Sequence, residues 1–102
     1  MPTATSPVIG CLQVTLRLPA CQSLKAKRQV LAGLLRRVRS KFGVAVAEIR
    51  DRDRWQLAGI AIVCASADRA HADEVLAHVL TYLEGQQGDV VLADVRTELI
   101  PM

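Results

Sequence analysis

The sequence predicts an α+β sandwich in which strands and helices follow one another as β-α-β-β-α-β. Two stretches repeat apolar residues at helical spacing, four stretches are alternating or continuously apolar as in strands, and short breaks separate all six. Right-handed crossovers place both helices on one face of a four-stranded antiparallel sheet, with the first and third strands in its centre. The predicted fold is therefore ferredoxin-like.

The first strand and the first helix have clear sequence boundaries. Every second residue before Pro19 is apolar, as in a strand with one buried face: Leu12, Val14, Leu16 and Leu18. The helix starts after Ser23, whose hydroxyl can cap free N–H groups, and stops at Gly43. Its apolar stripe consists of Leu24, Leu31, Leu34, Leu35, Val38 and Phe42.

The remaining elements follow in the second half of the chain. A second strand covers about 44–50, and the charged link 51–54 is short enough for a hairpin. The third strand, 56–65, is apolar on both faces and therefore belongs in the middle of the sheet. Ser66 or Asp68 can cap a second helix that runs to about Glu84 and is broken by residues 85–88. The last strand, 90–100, carries charges that are typical of an edge strand.

The length of 102 residues is that of one domain. Residues 1–7 have the composition of a disordered N-terminal tail, and residues 8–102 form the predicted domain. No stretch is long and apolar enough to span a membrane, and the N-terminus lacks a secretory signal. The three cysteines contain no Cys-x-x-Cys pair, which is typical of reduced thiols. We therefore expect a cytoplasmic protein without a membrane partner.

The net charge of +3 hides a strong asymmetry along the chain. From Arg17 to Arg54 there are 11 basic and three acidic side chains, which gives +8. From Trp55 to Met102 there are two basic and seven acidic side chains, which gives −5. The basic half favours a polyanionic partner, whereas the acidic half repels one or pairs with a neighbouring subunit.

The first helix carries cations on both sides of its apolar stripe, where they can meet phosphates while the stripe packs on the core. The alternative is a solvated helix whose long basic side chains only cover the edges of the core. The residues predicted to contact phosphates are Lys25, Lys27, Arg28, Arg36, Arg37 and Arg39.

The charged link before the third strand offers a second candidate contact. Three arginines, Arg50, Arg52 and Arg54, can hold a phosphate while the indole of Trp55 stacks on a base, and Arg52, Arg54 and Trp55 are the predicted contacts. The alternative is that Arg–Asp pairs in this link neutralise one another and Trp55 closes the end of the sheet. The interiors of the two central strands contain no aromatic residue, which argues against base stacking on the sheet itself.

The sequence contains no recognisable catalytic or metal-binding constellation. His71 and His78 are separated by about 10.5 Å along a helix, so one metal ion cannot easily bind both. No glycine-rich phosphate loop follows the first strand, and no Ser/His/Asp set can be placed. We expect no cofactor, no metal and no enzymatic activity. An enzyme that uses Cys21 or His71 ranks last among the alternatives.

One face of the predicted sheet has no helix to cover it. An apolar face of this kind typically marks an interface, and self-association about a two-fold axis covers it most simply. We therefore expect a homodimer through the sheet face. The same face supports an alternative function, a dimeric regulatory or small-ligand-binding module whose binding is insensitive to salt.

Four short motifs occur in order along the chain, and they are Gln22-Ser23-Leu24-Lys25-x-Lys27-Arg28, Val46-Ala47-Glu48, Asp53-x-Trp55-Gln56 and Ser66-x-Asp68-Arg69-x-His71. With them, residues from about 8 to 98 resemble the YlxP-like family of small bacterial proteins, which is catalogued as a domain of unknown function. The chain departs from the family's pattern at Cys21 and Ala26. The family's motif residues fall here on Ser23, Lys25, Lys27, Arg28, Asp53, Trp55, Asp68, Arg69 and His71.

The resemblance implies a ferredoxin-like fold and a bacterial cytoplasmic source, with no established enzymatic activity. It also implies genes that lie beside those of a ribosome-binding factor and a translation initiation factor, and hence a role in small-subunit maturation or translation. Together with the basic helix, the resemblance predicts a non-enzymatic accessory protein that binds ribosomal RNA or the small ribosomal subunit.

Overall fold

All six elements are present in the order that the sequence predicts. The computed structural model describes residues 6–86 and 88–102, so residues 1–5 of the predicted tail and Gln87 of the predicted helix break lie outside the described residues. No helix in these ranges is both long enough and apolar enough to cross a membrane. The elements are β1 Val8–Arg17, α1 Leu24–Phe42, β2 Ala45–Arg50, β3 Leu57–Ser66, α2 Arg69–Glu84 and β4 Val91–Pro101.

The four strands form one antiparallel sheet in the order β2-β3-β1-β4. Strand β1 pairs with β3 on one side and with β4 on the other, and β2 pairs with β3. The central position of the first and third strands is thereby confirmed, and with it the ferredoxin-like α+β fold. The two edge strands differ in length, since β2 has 6 residues and β4 has 11.

The core lies between the two helices and one face of the sheet. Alternate residues of β1 and β3 point to this side in directly opposed, buried pairs, which are Leu12 with Ile62, Val14 with Ile60 and Leu16 with Ala58. The helices cover them with aliphatic side chains, Leu31, Leu34 and Val38 from α1 and Leu76, Val79 and Leu83 from α2. The core is therefore built almost entirely without aromatic rings.

The ends of both helices are set by the residues that the sequence indicates. Ser23 accepts a hydrogen bond from the Ala26 amide at 3.0 Å, and Asp68 accepts one from the Ala70 amide at 2.8 Å. Gly43 closes α1 in the left-handed region, with φ at 63°, where a side chain would be strained.

One prediction about an individual side chain is wrong. Lys27, predicted to lie on an exposed flank of the helix, is 1% exposed and belongs to the buried face of α1. Cys21, the nucleophile of the alternative that ranks last, is 4% exposed because the turn after β1 packs its side chain into the core. Strand β1 also begins at Val8, ahead of the alternating run that predicts it.

Candidate nucleic-acid interface

Four cations form a row along the outer side of α1. At 100° per residue, Lys25, Arg28, Arg36 and Arg39 fall in one sector away from the buried face, and all four are exposed. The row is about 21 Å long at the rise of an α-helix. Helix α1 contains no acidic residue, and no ion pair reaches these cations in the part of the chain that the structure describes. Their charge is therefore available to a polyanion.

Two arginines of α1 also make hydrogen bonds within the molecule. Arg39 donates from Nη2 to the carbonyl of Val46 at 3.1 Å, and Arg37 donates from Nε to the hydroxyl of Tyr82 at 3.2 Å. Each bond uses one of the five N–H groups of a guanidinium, and neither acceptor carries a charge. Both side chains are therefore held in place without being neutralised.

A shallow pocket between the two helices extends the basic surface. Arg36, Arg37, Ser40 and Lys41 surround Tyr82 there, with a cavity volume of about 520 Å³. The ammonium of Lys41 lies 5.9 Å from the centre of the Tyr82 ring, within the range of a cation–π contact. Three cations of α1 thus converge where this helix meets α2.

Lys27 is a structural cation and does not belong to the row. Its Nζ lies 2.9 Å from Oε2 of Glu48 in β2 and donates to the carbonyl of Asp51 at 2.6 Å. Oε2 of Glu48 accepts no hydrogen bond from the described residues, because the geometry of the Lys27 ammonium is not that of a hydrogen bond to it. The contact between Lys27 and Glu48 is therefore an ion pair. A buried ammonium that is already engaged cannot reach a phosphate. Its effect is to fasten α1 to β2 and to the loop before β3.

The sequence does contain a signal for this buried pair. Lys27 precedes Leu31 and Val38 by four and eleven residues, which places it on the apolar stripe of the helix. Glu48 is two residues from Val46 and therefore shares the helix-facing side of β2. Opposite charges at two inward positions of neighbouring elements predict an ion pair rather than a phosphate contact.

The two loops at one end of the sheet form an open groove of about 830 Å³. Trp55 lines this groove and is 50% exposed, so about half of its surface is accessible to a ligand. Arg52 is exposed on the same loop but does not line the groove. The lining residues are Arg17, Pro19, Gln22, Asp53, Arg54, Trp55, Gln56 and Leu57, of which two are cationic.

The loop before β3 is held by hydrogen bonds and not by Arg–Asp ion pairs. In residues 6–86 and 88–102 the single ion pair is that of Lys27 with Glu48, so the loop arginines are not paired with Asp51 or Asp53. The side-chain amide of Gln56 donates to the carbonyls of Pro19 and Cys21, at 3.2 and 3.1 Å. These bonds join the two loops, so the motif residue Gln56 builds the groove that Trp55 occupies.

The motif residues at the start of α2 form a helix cap. The hydroxyl of Ser66 accepts a hydrogen bond from the Asp68 amide at 3.0 Å and lies 3.1 Å from Nδ1 of His71. Arg69 is the exposed first residue of the helix. These local contacts account for the motif without a ligand, and no group of three His, Cys, Asp or Glu side chains able to hold a metal occurs across the described ranges.

The open face of the sheet is charged along β4 and mostly apolar on the β2–β3 side. One cation interrupts the apolar side, since Arg50 of β2 lies against Gly59 of β3 and its Nη1 is 3.5 Å from the hydroxyl of Thr15 in β1. Cys11 lies on this face, and burial, reinforced by the carboxylate of the adjacent Glu98, raises the pKa of its thiol above the ordinary value. Within the described residues no helix packs on this face, and the homodimer expected through it stays a prediction. Its members include Ala45, Ala47, Ala61, Val63, Gln13, Asp94 and Arg96.

Comparison with known proteins finds relatives whose function is not described. A family model described as "Protein of unknown function (DUF503)" matches residues 9–97. The chain is 39% identical over 62 residues to the "Uncharacterized protein YlxP" of Bacillus subtilis (strain 168), an alignment that covers 61% of this chain and 67% of that protein. Among solved structures, "De novo designed protein Foldit4" is similar with 13% identity and a TM-score of 0.50, over 90% of this chain and 96% of that one. This structural likeness concerns the fold alone.

Proposed function

We propose that this chain, which belongs to the DUF503 family of proteins of unknown function, is a non-enzymatic accessory protein that binds RNA on the small ribosomal subunit. The observation that supports this proposal most is the row of exposed, unpaired cations on α1 in the described structure. The resemblance of its motifs to the YlxP-like family supports the ribosome as the partner over other polyanions. The same resemblance supports a cytoplasmic location.

The cations of α1 supply affinity through phosphates. Each lysine or arginine that meets a phosphate releases a condensed counterion, which makes binding favourable and strongly dependent on salt. Lys25, Arg28, Arg36 and Arg39 lie along one line and can follow one strand, while Arg37 is oriented towards α2 by Tyr82. Binding of this kind reads the shape of the backbone and carries no base specificity.

The groove at the end of the sheet adds a contact with an unpaired base. The exposed indole of Trp55 provides a stacking surface, and Arg54 lines the same groove, while Arg52 is exposed on the same loop outside it. Bases of a single-stranded segment can stack on an aromatic ring, whereas bases inside a duplex are already stacked on one another and cannot. The RNA that fits both surfaces therefore combines a phosphate backbone along α1 with an unpaired nucleotide at Trp55.

The proposal is tested by measuring affinity for single-stranded RNA and for purified small subunits at several salt concentrations. The test variant is R28Q/R36Q, because neither side chain makes a hydrogen bond or ion pair within the described residues. We expect the slope of log affinity against log salt to fall by about 0.7 for each phosphate contact that is lost. In the same titration W55A weakens binding to single strands and leaves the slope unchanged.

The matched control is A70E/A77E, which lowers the net charge by the same amount on the exposed side of α2. It should bind RNA with the slope of the unaltered protein. If the salt slope falls equally in both variants, the effect depends on the net charge of the protein and not on the position of the cations on α1. Absence of binding to RNA and to subunits at low salt would overturn the proposed function.

A further inference from the structure

Strand β4 exposes an unusual amount of apolar surface for the edge of a sheet. Four of the six large hydrophobic side chains that are exposed in the described structure lie on β4 or directly after it. They are Val91 at 48%, Val95 at 39%, Ile100 at 38% and Met102 at 66% exposure. An edge strand that is long and apolar is a template for pairing with another strand.

The backbone of β4 has a row of hydrogen-bonding groups that the sheet does not use. The Met102 amide donates to the Pro7 carbonyl at 2.9 Å, so the groups of this residue point towards β1. Because residues in an antiparallel strand alternate in direction, Arg96 and Glu98 also point to β1, and Val95 and Thr97 point away from it. The N–H and C=O groups of Val95 and Thr97 therefore face the free edge.

The charges of β4 alternate in sign along the open face of the sheet. Asp94, Arg96 and Glu98 are opposite Thr15, Gln13 and Cys11 of β1, so they share one side, and all three are exposed. Such a series is complementary to a second copy of itself that runs in the opposite direction, whereas a copy in parallel register would place like charges together.

Two antiparallel registers satisfy both the backbone and the charges. With the two-fold axis at Val95, Arg96 lies opposite Asp94 of the second copy. With the axis at Thr97, it lies opposite Glu98 of the second copy. In either case the residue on the axis forms a reciprocal hydrogen-bonded pair, and the charged residues occupy the non-hydrogen-bonded positions, where side chains approach most closely.

The opposite edge of the sheet is blocked. Strand β2 is short, its register is interrupted between Glu48 and Arg50, and Arg39 covers the carbonyl of Val46. A bulge and a covering side chain are devices that prevent strand addition. The two edges therefore differ, and β4 is the edge whose free N–H and C=O groups are open to another strand.

We propose that β4 is a self-association edge, through which two copies of the chain join in antiparallel fashion into one eight-stranded sheet. This pairing goes beyond RNA binding and does not depend on it. It also differs from association through the open face, because it leaves that face, and Cys11 on it, uncovered.

The experiment measures the monomer–dimer equilibrium by sedimentation over a concentration series. R96E makes the charges of β4 all acidic, and D94K/E98K makes them all basic. We expect either variant alone to raise the dissociation constant by about tenfold or more, because attractive cross-strand pairs become repulsive. An equimolar mixture of the two should restore the dimer, and this rescue also shows that both variants fold.

The control variant is R96E/D73K/E74K, which keeps the all-acidic β4 of R96E and carries on exposed positions of α2 the same change of charge that D94K/E98K carries on β4. Mixed with R96E, it should not restore association. A second measurement needs no variant, since the amides of Val95 and Thr97 should exchange more slowly with solvent as the concentration rises.

Three outcomes would overturn the proposal: a chain that is monomeric throughout the series, a dimer that R96E leaves intact, or rescue of R96E by R96E/D73K/E74K equal to that by D94K/E98K. A dimer that protects the Cys11 thiol from alkylation, and not the Val95 and Thr97 amides, would assign the interface to the open face instead.

Discussion

At the scale of single residues, Lys27 shows that a cation of the basic segment can be structural. It lies in the most basic part of the chain, yet its ammonium is buried and ion-paired with Glu48. Charge composition could not identify this pair, because composition is blind to the direction of a side chain. The same pairing keeps the loop that carries Trp55 in register with α1, since Lys27 also binds the carbonyl of Asp51.

Replacing Lys27 with methionine should destabilise the protein. The side-chain volume is nearly kept, but Glu48 is left as a mostly buried, unpaired carboxylate. The expected loss in the free energy of unfolding is about 3 kcal/mol, at the low end for a broken buried pair because Glu48 keeps 20% of its side chain exposed.

Urea unfolding of K27M, E48L and the double variant K27M/E48L measures the coupling between the two side chains. The double variant should be more stable than K27M, because it leaves no charge without a partner. If the loss in the free energy of unfolding of K27M/E48L equals the sum of the losses of K27M and E48L, the two side chains are not coupled.

At the scale of elements, α2 can pack close to the sheet because β1 has a glycine, Gly10, below it. A Cβ atom on Gly10 of β1 would lie 3.0 Å from Leu76 Cδ1 and 3.0 Å from Cys64 Sγ. Both neighbours belong to the packed layer between α2 and the sheet, so neither can move far without disturbing the core.

We expect G10A to lower the free energy of unfolding by about 1–3 kcal/mol through overpacking. The matched control is G33A in α1, where the added Cβ meets only the flexible end of Arg37 at 3.2 Å. G33A should raise stability by up to about 1 kcal/mol, because alanine favours the helix. Thermal unfolding of the two variants compares these effects, and a G10A variant as stable as G33A would contradict this account of the packing.

The elements themselves could be predicted well where local chemistry determines them. Ser23, Gly43 and Asp68 mark helix ends through hydrogen bonds and backbone freedom that depend on a few neighbouring residues. The burial of Cys21 could not be predicted in this way. It depends on how the turn after β1 packs and on Gln56, a residue far along the chain that bonds to its carbonyl.

At the scale of the whole molecule, the charge asymmetry of the sequence becomes a division in space. Helix α1 packs beside β2, and α2 packs over β1, β3 and β4, so the basic and the acidic helix lie side by side in one layer, towards opposite edges of the sheet. The fold was predictable because its periodicities are long and consistent. The site was predictable only as a set of cations, because the groove at Trp55 is formed by two loops that are distant in sequence.

Native-state hydrogen exchange should reveal the same organisation. Strands β1 and β3 are each paired on both sides, so amides at their centres open only when the whole domain unfolds. The free energy from the slowest of these amides should equal that from denaturant unfolding. Slowest exchange in α1 instead of the central strands would contradict this order of protection.

The position of α1 beside β2, at the far side of the sheet from β4, has a consequence for any pair joined at β4. Its two basic helices stand at opposite ends of the combined particle, directed away from the junction. A particle of this form is bivalent: once one end holds a long polymer, the second end searches a small volume around the same polymer. Modest affinity at each end then gives slow dissociation of the whole particle. A pair of this form can also bind two separate strands at once.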